Sequence, residues 1–150
     1  MAQTRAVSIG IFVGAGSRYE HDSEAGASHL LEHMLFKGTQ NRPGPSLISG
    51  PIETVGGVMN ALTDRELTLY WCKVPSEHFD LALDVLSDMV VGSTILAEEL
   101  ERERKVVVEE LAMTNDQPDA RVELLIDEIL WPDQPMGRDV GGSKESVMSM

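Results

Sequence analysis

The 150-residue sequence contains a single cysteine, Cys72, and few basic residues. One cysteine excludes a disulfide framework within the chain, and we expect Cys72 to be a buried, inert thiol in a β-strand. Lys and Arg total 12 against 25 Asp and Glu, which gives a formal net charge of −13 at pH 7. This excess of acidic residues argues against nucleic acid or an anionic membrane as a partner, because both are negatively charged. The negative charge is compatible with basic peptides as substrates.

Long apolar stretches are also missing. No apolar run approaches the roughly 18 residues that predict a transmembrane helix. The N-terminus lacks the basic segment and long apolar stretch of a secretory signal peptide. We therefore expect no membrane contact and a cytoplasmic location. There is no internal repeat or low-complexity segment, and the length suits a single domain with a proper core.

The segment His29-Leu30-Leu31-Glu32-His33 places two imidazoles four residues apart, with a carboxylate between them. On an α-helix both rings project from one face, about 6 Å apart along the axis. That arrangement suits Zn²⁺, which binds histidine nitrogens at about 2.0–2.1 Å, and Glu32 is close enough to act on a metal-bound water. The order is that of the inverted zincins. The alternative is an exposed polar helix with two unrelated histidines.

A hydrolytic zinc site needs a third protein ligand and an open position for water. The long helix predicted over 98–115 could supply this ligand. Glu103 and Glu110 are seven residues apart on one face of it. They flank an apolar stripe at helical spacing, formed by Leu100, Val107, Val108 and Leu111. A carboxylate beside a buried stripe is costly unless something pairs with it, so either residue is a candidate ligand, or simply a satisfied carboxylate at the edge of the stripe.

Several blocks of the sequence resemble, in the same order, those of the pitrilysin/insulinase family of zinc metallopeptidases, whose smaller members include mitochondrial processing peptidase and bacterial processing proteases. They are residues 14–20, 26–39, 56–63, 101–111 and 135–142. The resemblance implies a zinc endopeptidase acting on peptides or presequence-like segments. It also implies that 1–150 is an incomplete N-terminal domain, half of a two-domain subunit. The second domain or a partner subunit would complete the site, so we expect this chain alone to be inactive and to fold imperfectly or associate into homo-oligomers.

The resemblance also decides between two neighbouring glutamates. Both Glu109 and Glu110 match the spacing of the family's third zinc ligand. The family places a second important glutamate seven residues before that ligand. Counting back from Glu110 gives Glu103, whereas counting back from Glu109 gives Arg102, so the register selects Glu110.

The resemblance thus implies a site of seven residues with three roles. Two carboxylates are catalytic, three side chains bind the metal, and two residues lie on an edge strand beside the zinc, where an extended substrate adds as another strand. The catalytic carboxylates are Glu32 and Glu103, and the metal ligands are His29, His33 and Glu110. The two residues on the edge strand are Asn60 and Ala61.

Two other functions are open. A non-catalytic structural or partner subunit of the same fold is the first, but such relatives usually lose residues of the zinc motif, and this chain keeps them all. A binding module with structural zinc is the second, but structural zinc sites are normally closed and rich in cysteine.

Periodicity and turn residues predict an α+β fold, with helices packed on an antiparallel sheet. The predicted strands are 7–13, 58–63 and 66–74. The predicted helices are 27–36, 47–55 (weakened or kinked by Gly50-Pro51), one after Pro75 with Ser76 as N-cap, 98–115, 119–130 and one opened by Ser143. The helix after Pro75 is expected to bury Phe79, Ala82, Leu83, Leu86, Met89 and Val90. The helix 119–130 is expected to bury Val122, Leu125, Ile126 and Ile129.

Overall fold

Three antiparallel strands form one sheet in the computed structural model, which describes residues 5–150. They are β1 (Ala6–Val13), β2 (Val58–Thr63) and β3 (Thr68–Pro75), in the order β1-β3-β2. All three were predicted, although β3 begins two residues later than expected. Cys72 lies in the central strand, paired with Ile9 and Met59, and is fully buried as predicted. Burial raises the pKa of its thiol.

Within residues 5–150, six α-helices accompany the sheet. They are α1 (Ala27–Leu35), α2 (Pro45–Thr54), α3 (Phe79–Gly92), α4 (Ala97–Asp116), α5 (Pro118–Leu130) and α6 (Lys144–Ser149). Each corresponds to a predicted helix, so the α+β class is confirmed. Ser143 caps α6 through a capping box with Ser146. Among the helices of residues 5–150, none combines the length and apolar character needed to cross a bilayer.

Helix α2 runs through the Gly50-Pro51 pair without interruption. Proline inside a helix removes one backbone hydrogen bond and crowds the preceding turn. Ile48 and Ile52, which flank the pair, are fully buried. Their burial offsets the local cost, because packing of an apolar face stabilises a helix more than intrinsic propensity does.

Two apolar clusters position the candidate site. The first lies between the sheet and helices α2 and α3, and the second joins Leu30 of α1 to Val107 of α4 and Val147 of α6. Helix α1 takes part in both, because Leu35 belongs to the first cluster. The face of α1 that carries the histidines is therefore held against α4.

The predicted core face of α3 was partly wrong. Phe79 and Leu83 are 42% and 41% exposed, whereas Val85 is fully buried. The buried stripe consists of Ala82, Val85, Leu86 and Met89. Ser76 also makes no side-chain capping bond in the described structure, because a 3₁₀ turn over Ser76–His78 separates it from α3. Apolar residues lie on two adjoining faces of α3. The way in which the helix packs on the sheet decides which of the two faces is buried.

The predicted burial along α5 was wrong. Within the described residues no side chain of α5 is buried. The four predicted core residues are 40% to 76% exposed: Val122, Leu125, Ile126 and Ile129. Helix α5 packs mainly against α4 and the turn at Pro135–Gly137, and its predicted core residues lie on a side that stays largely exposed in residues 5–150. Amphipathic periodicity shows which face of a helix is apolar, but it does not show that another element covers that face.

Candidate metal centre

Helix α1 starts at a glycine that the fold requires. Gly26 adopts φ +94°, and a Cβ there would lie 2.3 Å from the carbonyl oxygen of Gly141. The first amides of the helix are satisfied by Glu20, whose carboxylate accepts hydrogen bonds from the backbone amides of Gly26 (2.8 Å) and Ser28 (2.6 Å). A carboxylate at a helix N-terminus also interacts favourably with the helix dipole. The start of the helix, and with it the position of His29, is thus well determined.

Two histidines and one glutamate direct their donor atoms at a common point. The His29 and His33 Nε2 atoms are 3.4 Å apart, and Glu110 Oε2 lies 3.3 Å from His33 Nε2 and 3.8 Å from His29 Nε2. Tetrahedral coordination with bonds of about 2.0–2.1 Å would separate ligand atoms by about 3.3–3.4 Å. The distances and the N, N, O donor set therefore fit zinc. Among residues 5–150, these three form a group whose ligand atoms all lie within 4.8 Å of one another, close enough to share a metal ion.

Glu103 contacts the ring nitrogen of His33 that is not directed at the cluster. Its Oε2 is 3.1 Å from His33 Nδ1, and the residue is only 5% exposed. A carboxylate accepts hydrogen bonds, so this contact favours the His33 tautomer that carries its proton on Nδ1 and leaves Nε2 as the donor atom for a metal. Histidine ligands of metals are commonly oriented by a carboxylate in this way. Glu103 thus lies behind the cluster, as a supporting group and not as a fourth ligand.

His29 is also suited to bind as a neutral ring. Burial in the first place, and the nearby His33 in the second, lower the pKa of His29 below its ordinary value, although Glu32, Glu110 and Asp139 act to raise it. The imidazole is therefore neutral at pH 7. Its Nδ1 is buried and has no hydrogen-bond partner within the described residues.

Glu32 is held by a residue of β2. Thr63, at the end of that strand and 9% exposed, donates a hydrogen bond from Oγ1 to Glu32 Oε2 at 2.5 Å. One carboxylate oxygen of Glu32 is thereby occupied, and the other, Oε1, remains to accept a proton. A cavity of about 360 Å³ adjoins this region and is lined by His29, Thr63, Glu110 and residues of the 139–141 segment, among others.

Asn60 and Ala61 lie on β2, which is an edge strand of the sheet among residues 5–150. Asn60 is opposite Trp71 and Ala61 is opposite Tyr70 on the neighbouring strand. The Ala61 amide donates a hydrogen bond to Asn60 Oδ1 at 2.9 Å. The strand continues to Thr63, so the edge leads towards Glu32. Contact of these two residues with a substrate stays a prediction.

The sequence pattern of the insulinase family, peptidase family M16, matches residues 1–144. The chain belongs to this family. It is 41% identical to an uncharacterized zinc protease of Mycobacterium leprae over 97% of the chain and 33% of that protein. It is also 41% identical to an uncharacterized zinc protease of Bacillus subtilis, over 97% of the chain and 35% of that protein. The chain therefore spans about a third of the length of these curated relatives.

Solved structures agree with the insulinase-family fold. A protease from Helicobacter pylori superposes with a TM-score of 0.92 at 24% identity, covering 98% of this chain and 35% of that one. Pitrilysin superposes with a TM-score of 0.84 at 26% identity, covering 98% of this chain and 16% of that one. The resemblance inferred from the motif blocks is thus confirmed at the level of family and fold.

Two residues that support the site in this insulinase-family chain were missed by sequence reasoning. Lys37 forms an ion pair with Glu103, and Thr63 binds Glu32. A signal for Lys37 was available, because it continues the four-residue spacing of His29 and His33. Thr63 carried no local signal, since its partner is 31 residues away in the chain.

Proposed function

We propose that the protein is a zinc-dependent endopeptidase whose zinc ion is bound by His29, His33 and Glu110. The observation that carries the proposal is the separation of 3.3–3.8 Å among their three donor atoms, next to a carboxylate, Glu32, with one oxygen held by Thr63. Membership of the insulinase family supports it, as do relatives named zinc proteases.

When bound, zinc would lower the pKa of a water molecule to about 7 and polarise the scissile carbonyl. Glu32 is the proposed general base. Its Oε1 accepts a proton from the attacking water and later delivers it to the leaving nitrogen, while Thr63 keeps Oε2 in place. Glu103 holds His33 in the tautomer that leaves Nε2 available. The protein residues thus orient the donors and move one proton.

The proposed substrate is an extended peptide that pairs with the edge of β2 at Asn60 and Ala61, adding one strand to the sheet. To pair there, the peptide would compete with the Asn60 side chain for the amide of Ala61. A net charge of −13 is compatible with basic peptides. We propose that a second domain or a partner subunit completes the groove.

The test separates metal binding from proton transfer. In the full-length protein, Glu32→Gln should retain zinc and lose about 10²–10⁴ in turnover, because glutamine can hydrogen-bond to water but cannot accept its proton. Zinc content would be measured by mass spectrometry, and cleavage with internally quenched peptides. Glu53→Gln, an exposed change on α2, is the matched control. Turnover near the wild-type value in Glu32→Gln would eliminate the base role.

A further inference from the structure

Lys37 is the outermost member of a chain of polar contacts that ends at the metal cluster. It lies two residues beyond the end of α1, and its Nζ is 2.7 Å from Glu103 Oε1. The other oxygen of the same carboxylate, Oε2, is 3.1 Å from His33 Nδ1. His33 Nε2 in turn faces Glu110 Oε2 at 3.3 Å. One carboxylate therefore connects a lysine to a proposed zinc ligand.

The burial of Glu103 makes its second contact important. The side chain of Glu103 is 7% exposed, so water does little to orient its carboxylate or to stabilise its charge. A carboxylate is free to turn about its last side-chain torsion unless both oxygens are held. An ammonium group at 2.7 Å from Oε1 fixes that oxygen and leaves Oε2 directed at His33.

We infer that Lys37 is a positioning residue for the metal site. It holds the carboxylate of Glu103 so that Oε2 accepts the hydrogen bond from His33 Nδ1, and this keeps the lone pair of His33 Nε2 directed at the cluster. The inference rests on the proposed zinc site. A purely structural role is the competing explanation, in which the ion pair only ties α1 to α4, two helices that Leu30 and Val107 already join.

Zinc affinity of the full-length protein, measured by competition with a chromophoric chelator, tests the inference. Lys37→Met should weaken zinc binding about tenfold, the lower end of the range for changes behind a metal ligand. Lys37→Arg keeps the positive charge and N–H donors, so it should restore affinity to within about threefold. Lys105→Met, an exposed change on α4, is the control and should have no effect.

Two further measurements distinguish positioning from structural support. If Lys37 acts through Glu103, the double variant Lys37→Met/Glu103→Gln should bind zinc no more weakly than Glu103→Gln alone. In the zinc-free protein with ¹⁵N-labelled histidine, NMR should report His33 protonated on Nδ1, and Lys37→Met should lose this preference. Loss of an ion pair that only tied α1 to α4 would not change the tautomer of His33. Should Lys37→Met fail to fold, Lys37→Gln, which keeps a donor without the charge, takes its place.

Two results would overturn the inference. One is unchanged zinc affinity in Lys37→Met when Glu103→Gln weakens it. The other is a loss in Lys37→Met that adds in full to the loss in Glu103→Gln. Failure of the proposed site itself would look different, because His33→Ala would then keep full zinc affinity.

Discussion

Removing the negative charge of Glu110 is the most direct test of the metal centre. Glu110→Gln preserves the size of the side chain and one carbonyl oxygen, but it removes the only anionic donor of the cluster. That donor, Oε2, lies 3.3 Å from His33 Nε2 and 3.8 Å from His29 Nε2. The variant therefore leaves the two imidazoles in place and changes a single ligand.

The expected loss follows from the number of ligands. Structural zinc sites with four protein ligands bind with an apparent free energy of about 10–16 kcal/mol, or about 2.5–4 kcal/mol per ligand. Each 1.4 kcal/mol is about tenfold in affinity, so losing one ligand should cost about 10²–10³. The Glu110 side chain is 44% exposed, and solvent screens its charge. We therefore expect the lower end of that range, about 100-fold.

The assay is zinc competition with a chromophoric chelator at pH 7, with the full-length protein. Glu109→Gln is the matched control, because it makes the same chemical change one residue earlier on an exposed part of α4, and it should barely change affinity. The reverse ranking of the two variants would show that the third ligand had been assigned to the wrong residue. Equal, small effects of both would refute the idea that a carboxylate from α4 completes the site.

Three further predictions concern the rest of the fold. Burial alone would raise the pKa of Asp88, but hydrogen bonds from Thr39 and then Arg42 outweigh it and lower that pKa. The associated stability is present above the unfolded-state pKa and is lost as pH falls through the lower folded-state pKa, so Asp88→Asn should reduce the pH dependence of urea unfolding in acid. Leu86→Ala, at a fully buried position, should cost about 2–5 kcal/mol of unfolding free energy by the same method, and a cost below about 1 kcal/mol would contradict the packing. Cys72 should react with a thiol reagent much more slowly in the native than in the denatured protein, because it is buried and its thiol pKa is raised; equal rates would contradict this.

Helical periodicity is sufficient to place His29 and His33 on one face, because four residues on a helix return to nearly the same direction. The same local rule, with the family's spacing, selected Glu110 and Glu103 on α4. The strands and helices followed from alternation, turn residues and apolar spacing, since these depend on neighbours along the chain. The α+β class was therefore predictable before any contact between elements was known.

Contacts between distant elements were decided only by tertiary packing. Glu103 reaches His33 across 70 residues, and Thr63 reaches Glu32 across 31. No sequence periodicity predicts either contact. The positions of α4 and β2 relative to α1 depend on the packing of the two apolar clusters that contain Leu30 and Leu35. The exposed face of α5 has the same cause: a sequence records the apolarity of each side chain, but burial requires a neighbour whose position is set by packing.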